Sequence, residues 1–232
     1  MHVRVLPLFA AILLAGVPDH APSDWPFAVG ETLHFTAKIG YFPAGSAELQ
    51  VVRSTDLRGK PAVVLALNAK GGPPGLASSW ALTSWVESAS FSSLQFRRHM
   101  DLAGRVTDEQ YQILPDSARY RLTGSGQDYV APAHPMDELA LLYYLRTLPL
   151  KPGDSRALRG YFQNGFNPIT VTVLGREQIE VGSGVTYPCL RLRVAAAGKS
   201  TDLWITDDAR RIPARASVVL PLGKATLVWD GR

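Results

Sequence analysis

The sequence predicts a mainly β, single-domain protein in which an antiparallel meander curls into a strongly curved sheet or half-open barrel around one apolar helix. Three observations carry this expectation. Apolar and polar residues alternate with period two in about a dozen short segments, the pattern of strands with one wet face. Clusters of Gly, Pro and Asp punctuate those segments at regular spacing, as in meanders and barrels. A single segment after Pro135 carries helical signals and is apolar nearly all round, so it needs cover on more than one side.

The first strand spans Thr32 to Ile39, where Leu33, Phe35, Ala37 and Ile39 share one face and Thr32, His34, Thr36 and Lys38 the other. His34 is thereby placed on the wet face. Ser46 to Val52 sets Ala47, Leu49 and Val51 against Glu48 and Gln50, and the Gly40 to Gly45 turn joins the two as a hairpin with a longer loop. Similar strands follow at Ala62 to Ala69, Leu82 to Ser88, Leu94 to Met100, Val106 to Leu114 and Arg119 to Thr123. Later ones are Ile169 to Leu174, Gln178 to Val181, Leu190 to Val194, Leu203 to Thr206, Ala214 to Leu220 and Ala225 to Trp229. The turn chemistry between them includes Gly71-Gly72-Pro73-Pro74-Gly75, Gly124 to Asp128, Gly175-Arg176, Gly182 to Gly184 and Asp207-Asp208.

The helix is predicted over Met136 to Arg146, starting at Met136 or Asp137. Acidic Asp137 and Glu138 suit its N-terminal end, Arg146 its other end, and Pro149 and Pro152 stop it. Between them runs Leu139-Ala140-Leu141-Leu142-Tyr143-Tyr144-Leu145. A surface helix would show a polar stripe, so this one is expected against or inside the concave face of the sheet.

Met1 to Val17 reads as an export signal. Arg4 precedes the apolar run Val5 to Ala15, which fits an h-region of roughly 7–15 residues and falls short of the roughly 20 needed to span a bilayer. Val17 stands where a lipoprotein would carry its acylated cysteine after Leu14-Ala15-Gly16. The expected organisation is residues 1–21 as signal and short flexible start, cleaved near 16 or 21, and 22–232 as one β-rich domain. The expected location is the periplasm or the extracellular space, with no transmembrane segment in the mature chain. Cys189 is the only cysteine, so no disulfide frames the domain, and burial is its expected fate. The net charge of +4 is spread along the chain rather than gathered into a basic face, which argues against nucleic acid as a partner.

Catalytic signatures are missing. No Gly-x-Ser-x-Gly elbow occurs, and Gly124-Ser125-Gly126 and Gly182-Ser183-Gly184 read as turns. His34, His99 and His134 lie far apart, with no His-Glu-x-x-His and no cysteine pair, so neither a metal nor another cofactor is expected. Asp137 and Glu138 point about 100° apart on a helix, and Asp207 and Asp208 diverge in a turn, so neither pair suits glycoside hydrolysis. Apolar-ligand binding has slightly more support: Trp80 and Trp85 lie beside the Gly/Pro loop, Phe96 and Trp204 lie on strands, Tyr143 and Tyr144 offer rings with polar tips, and Arg146 can meet an anionic head group. The same residues also suit an ordinary core, with Arg146 as a helix cap.

The segment Met136 to Gly153, then Val171-Thr172-Val173-Leu174-Gly175-Arg176-Glu177, then Leu203-Trp204-Ile205-Thr206-Asp207-Asp208-Ala209-Arg210-Arg211-Ile212-Pro213, resembles the bacterial exported family called domain of unknown function 3108. Pro26 to Leu33 and Gly45-Ser46-Ala47 are similar to that family's opening, while Asn68 to Thr123 carries little of the likeness. The resemblance implies an envelope protein with a curved antiparallel sheet, similar in outline to periplasmic lipoprotein carriers whose half-open barrels hold acyl chains, and it implies no catalytic residues. The leading expectation is a noncatalytic envelope protein that holds a hydrophobic or amphipathic, lipid-like ligand in its concave face. An adaptor that grips an envelope protein through a sheet edge or rim loop is the alternative, and a hydrolase of an envelope polymer the third.

Overall fold

The computed structural model of the chain describes residues 25–40, 42–72, 77–220 and 223–231. The expected export signal and the centre of the Gly71 to Gly75 loop lie outside them. Among the described residues, fourteen strands form one antiparallel sheet in the order β8-β7-β6-β5-β4-β3-β2-β1-β14-β13-β12-β11-β10-β9. They are β1 (Thr32–Ile39), β2 (Phe42–Leu57), β3 (Lys60–Gly71), β4 (Ser78–Glu87), β5 (Ser93–Leu102), β6 (Arg105–Leu114), β7 (Arg119–Leu122) and β8 (Asp128–Val130), then β9 (Ser155–Leu158), β10 (Ile169–Glu180), β11 (Thr186–Ala196), β12 (Lys199–Thr206), β13 (Pro213–Leu220) and β14 (Gly223–Trp229). The one α-helix among the described residues, α1 (Glu138–Thr147), lies between β8 and β9 in the chain. Sequential strands pair everywhere except between β8 and β9, and β1 pairs with β14, so the two halves of the meander join through the first and last of these strands.

The turn expected at Gly175-Arg176 is instead a bulge inside one long strand. Val173 pairs with Leu192 and Gly175 with Arg191, which leaves Leu174 unpaired, and Gly175 adopts the positive φ of +156° that a side chain would resist. Two strands were not expected, β8 and β9, which have three and four residues and are too short for alternation to show.

The sheet is open between its edges β8 and β9, and the segment 159–168 bridges the gap. Asn164 donates from Nδ2 to the Val130 carbonyl at 3.0 Å, Met136 pairs with Tyr161 in a parallel bridge, and Phe162 stacks edge-on against Tyr111 and Tyr120. Helix α1 crosses the interior. Asp137 caps it, accepting from the Leu139 and Ala140 amides, and its carboxylate also accepts from Ser84 Oγ on β4. At the far end Arg146 meets Glu31, just before β1, and the carbonyls of Arg210 and Arg211. The all-apolar helix thereby finds cover on both sides: Leu139, Ala140 and Tyr143 join a cluster with β1–β4 residues, and Leu145 joins a second cluster with β10–β12 residues.

Alternating strand direction gives the half-open barrel two unlike ends. At one end lie the turns 58–59, 88–92, 115–118 and 207–212 together with residues 25–31, and this end is packed shut. Trp25, Phe27, Phe91, Tyr143 and Tyr144 stack there with ring centroids 4.7 to 5.6 Å apart along the chain of contacts. At the other end lie the hairpin tips at residue 40, at 103–104 and at 197–198.

Candidate functional site

Register fixes which side chains look inward toward that second end. One cross-strand row on the inner face runs Phe35, Ala47, Ala69, Trp80, Met100, and the row on its closed-end side runs Leu33, Leu49, Leu67, Leu82, Arg98, Glu109. Along both rows burial fades. Phe35, Ala47, Leu33 and Leu49 are buried, whereas Ala69, Trp80, Met100, Leu67 and Leu82 are only half-buried. The facing wall behaves alike: Leu190 and Leu192 are buried, and Val194 and Ala196 further along β11 are half-buried. Leu141 and Leu142 of α1 are half-buried too and pack against both clusters, as does Leu82. The inner face is therefore an apolar trough over α1, buried toward one end and half-buried toward the other.

Small residues keep the trough roomy. Ala37, Gly45, Gly71 and Ser78 form the next row toward the open end. There β2 and β3 approach so closely that a Cβ on Gly45 would meet the Lys70 carbonyl oxygen at 2.2 Å, and one on Gly71 the Ala44 carbonyl oxygen at 2.4 Å. Glycine is required at both positions.

One charged group interrupts the apolar wall. Arg98 falls in register between Phe96 and Met100, donates from Nη1 to Glu109 Oε2 at 2.8 Å and from Nη2 to Glu138 Oε1, and lies over the Phe96 ring at 5.4 Å. Burial works against its charge, but Glu138, Tyr161 and Glu109 outweigh burial and hold the guanidinium pKa above its ordinary value. Burial and the Glu138 charge likewise raise the Tyr161 hydroxyl. The second oxygen of Glu138 is buried. The sequence does signal this group: a charged residue in the apolar register of a strand calls for a buried partner.

The residues that the sequence offers for a ligand are distributed around the fold, not gathered at one place. Trp80 lies on the trough face of β4 and Trp85, an odd number of residues on, faces the other side of the sheet. Phe96 and Tyr143 are fully buried, Phe96 against Phe162 and Tyr143 against Phe27 in the closed end. Burial pushes the Tyr143 hydroxyl well above its ordinary pKa, and that hydroxyl has no hydrogen-bond partner. Tyr144 is half-buried beside Phe91, with a centroid distance of 5.6 Å. Arg146 is a buried ion-pair partner rather than a head-group acceptor, because all its bonds run to Glu31 and two carbonyls and its side chain is 0% exposed. Trp204 is buried and donates from Nε1 to Glu177 Oε2 at 2.7 Å, with Arg191 and Arg215 over its ring.

A depression of about 900 Å³ lies across β1–β4. His34, Glu48, Asn68 and Lys70 in its lining occupy the register opposite to the trough, with the row Phe35, Ala47, Ala69, Trp80 beneath them. His34 and Glu48 pair there at 3.4 Å. Half-buried apolar walls leave unfavourable surface in water, so the trough is the candidate site.

The sheet edges are short. β8 has three residues, its Val130 carbonyl is taken by Asn164, and β9 carries Arg156, devices that blunt an edge against pairing. Among the described residues no group of three or more His, Cys, Asp or Glu side chains could hold a metal ion, and no helix is long and apolar enough to cross a membrane.

A family model described as a protein of unknown function, DUF3108, matches residues 33–229. No curated protein matches the chain. Among solved structures, the β-barrel-like protein of domain of unknown function DUF1849 from Brucella abortus superimposes with a TM-score of 0.52 at 7% identity, over 85% of this chain and 94% of that one. A candidate lipoprotein from Parabacteroides distasonis aligns with a TM-score of 0.38 at 9% identity, over 89% of this chain and 96% of that one. A candidate exported protein with a YmcC-like fold from Bacteroides fragilis aligns with a TM-score of 0.27 at 11% identity, over 89% of this chain and 96% of that one. The likeness to the Brucella protein bears on the β-barrel-like fold alone.

Proposed function

Because this chain belongs to DUF3108, a family of proteins of unknown function, we propose its role from its own geometry: it is a noncatalytic, single-domain envelope protein that holds an amphipathic, lipid-like molecule in the trough. The observation that carries this reading is the fading burial along the inner rows, from Leu33 and Leu49 to the half-buried Leu67 and Leu82, above a helix whose Leu141 and Leu142 are themselves half-buried. The sequence between Met1 and Ala21 supports export.

An apolar chain laid along Ala69, Trp80, Leu82 and Leu142 displaces water from both partners. Each methylene buried contributes about 0.8 kcal/mol, so roughly ten carbons contribute about 8 kcal/mol. Association costs at least about 4 kcal/mol of that, which leaves weak, exchangeable binding suited to a carrier. Arg98, Glu109 and Glu138 give the wall one polar anchor.

Native mass spectrometry of the protein purified from a bacterial envelope without detergent, with solvent extraction of anything retained, tests the reading. A stoichiometric lipid or isoprenoid released on denaturation is expected. A bare protein mass that takes up no added envelope lipid overturns it.

A further inference from the structure

The open end of the trough carries a second pattern that the ligand reading does not use. Phe42 at the β1–β2 tip is 78% exposed, and Leu102 and Val106, flanking the β5–β6 tip, are 40% and 62% exposed. These are large apolar side chains exposed at the turns of the open end. Around the same end lie Lys38, Lys70, Arg105 and Lys199, and among the described residues none of these four is in an ion pair. Of the carboxylates near them, Asp108 pairs with Arg97, and Asp101 caps the Gly104 amide and keeps its charge, so the four cations outnumber it. The closed end exposes a large apolar side chain, Val185 in the β10–β11 turn, while its aromatic rings pack on one another and its Arg146 is neutralised by Glu31.

We propose that this rim docks the mouth of the trough onto an anionic bilayer surface, with Phe42, Leu102 and Val106 entering the interface and the four basic side chains facing acidic lipid head groups. The arrangement matches the two requirements of reversible interfacial binding, apolar side chains to insert and cations to attract. Neither suffices alone, because three side chains bury little surface and four dispersed cations hold only loosely. The docking rests on the trough reading in one respect: it gives a lipid-like ligand a path between bilayer and protein without crossing water.

Vesicle flotation with the mature chain, freed of the apolar Val5–Ala15 run that would itself enter a bilayer, tests it, comparing vesicles of phosphatidylglycerol and phosphatidylethanolamine with vesicles of phosphatidylcholine. The protein is expected to float with the anionic vesicles and to be released by high salt. A paired variant, Phe42→Ser with Val106→Ser, is expected to stay behind. A triple variant, Lys38→Gln with Arg105→Gln and Lys199→Gln, should lose about fivefold in partitioning per charge removed. All five positions are at the rim, and unchanged circular dichroism verifies folding.

Wild-type protein that fails to float with anionic vesicles, or rim variants that float as well as wild type, overturns the docking. Uptake of a monomeric fluorescent fatty acid without vesicles separates this from the trough reading. Rim variants that take up the probe normally and no longer float support the docking. Wild-type protein that floats yet takes up no probe contradicts the trough reading and leaves the docking standing.

Discussion

Arg146 and Glu31, 115 residues apart, are joined by two parallel hydrogen bonds, Nη1 to Oε1 at 2.5 Å and Nη2 to Oε2 at 2.8 Å. The guanidinium also bonds the carbonyls of Arg210 and Arg211, both at 3.1 Å, and lies over the rings of Phe27 and Tyr143. One side chain thus ties the end of α1 to the approach to β1 and to the β12–β13 connection. This hub shuts the closed end, and it holds α1 in place as the floor of the trough.

Arg146→Leu strands the Glu31 carboxylate and two carbonyls, and the expected loss in urea unfolding is about 3–5 kcal/mol, the usual cost of breaking a buried pair from one side. Arg146→Lys keeps the charge without the planar fork and should lose less. A loss below about 1 kcal/mol for the leucine variant would remove the hub from the account.

Asp137 makes stability depend on pH. Burial, the largest influence, pushes its carboxyl from 3.8 up to about 7, against the hydrogen bonds from Ser84, the Ala140 amide and Ser93. The folded pKa is the higher one, so the folded protein holds the proton longer than the unfolded chain. The contribution to stability is therefore fully present below about pH 4 and is lost as pH rises to about 7, on the order of 4 kcal/mol at about 1.4 kcal/mol per pH unit. Asp137→Asn retains an acceptor for the helix amides and should flatten the melting temperature across that window. A wild-type profile parallel to the variant's would contradict the assignment.

Cys189 is buried, and burial, helped by Asp208, pushes its thiol up to about 12. A thiol reagent at neutral pH should label it at the rate of unfolding, slowly in buffer and fast in denaturant. Prompt labelling of the native protein would show β11 to be open.

Much of this fold is legible in the sequence. The alternation of Leu33, Phe35 and Ala37 against His34 and Thr36 identifies the inner face of β1, and Asp137 ahead of an apolar run marks the start of α1. Closure is not legible, because alternation shows which face a side chain takes and not which distant strand lies beside it; the β1–β14 pairing and the Arg146–Glu31 bridge are of that kind. The trough residues are harder. A strand starting at Leu82 leaves Trp80 in a loop beside Trp85, but β4 begins at Ser78, and the odd spacing then sends the two rings to opposite faces. Arg98 was the missed clue, a charge in the register of Phe96 and Met100.

The trough itself is tested most directly by filling it. Ala69 is half-buried on the inner face and Ala81 occupies the opposite register, so Ala69→Phe and Ala81→Phe add the same ring on the two sides of one wall. Titration with a fluorescent fatty acid should show uptake by wild type and by Ala81→Phe, and a loss of about tenfold or more for Ala69→Phe, equivalent to about 1.4 kcal/mol. Equal uptake by the two variants, with both folded, would contradict binding in the concave face.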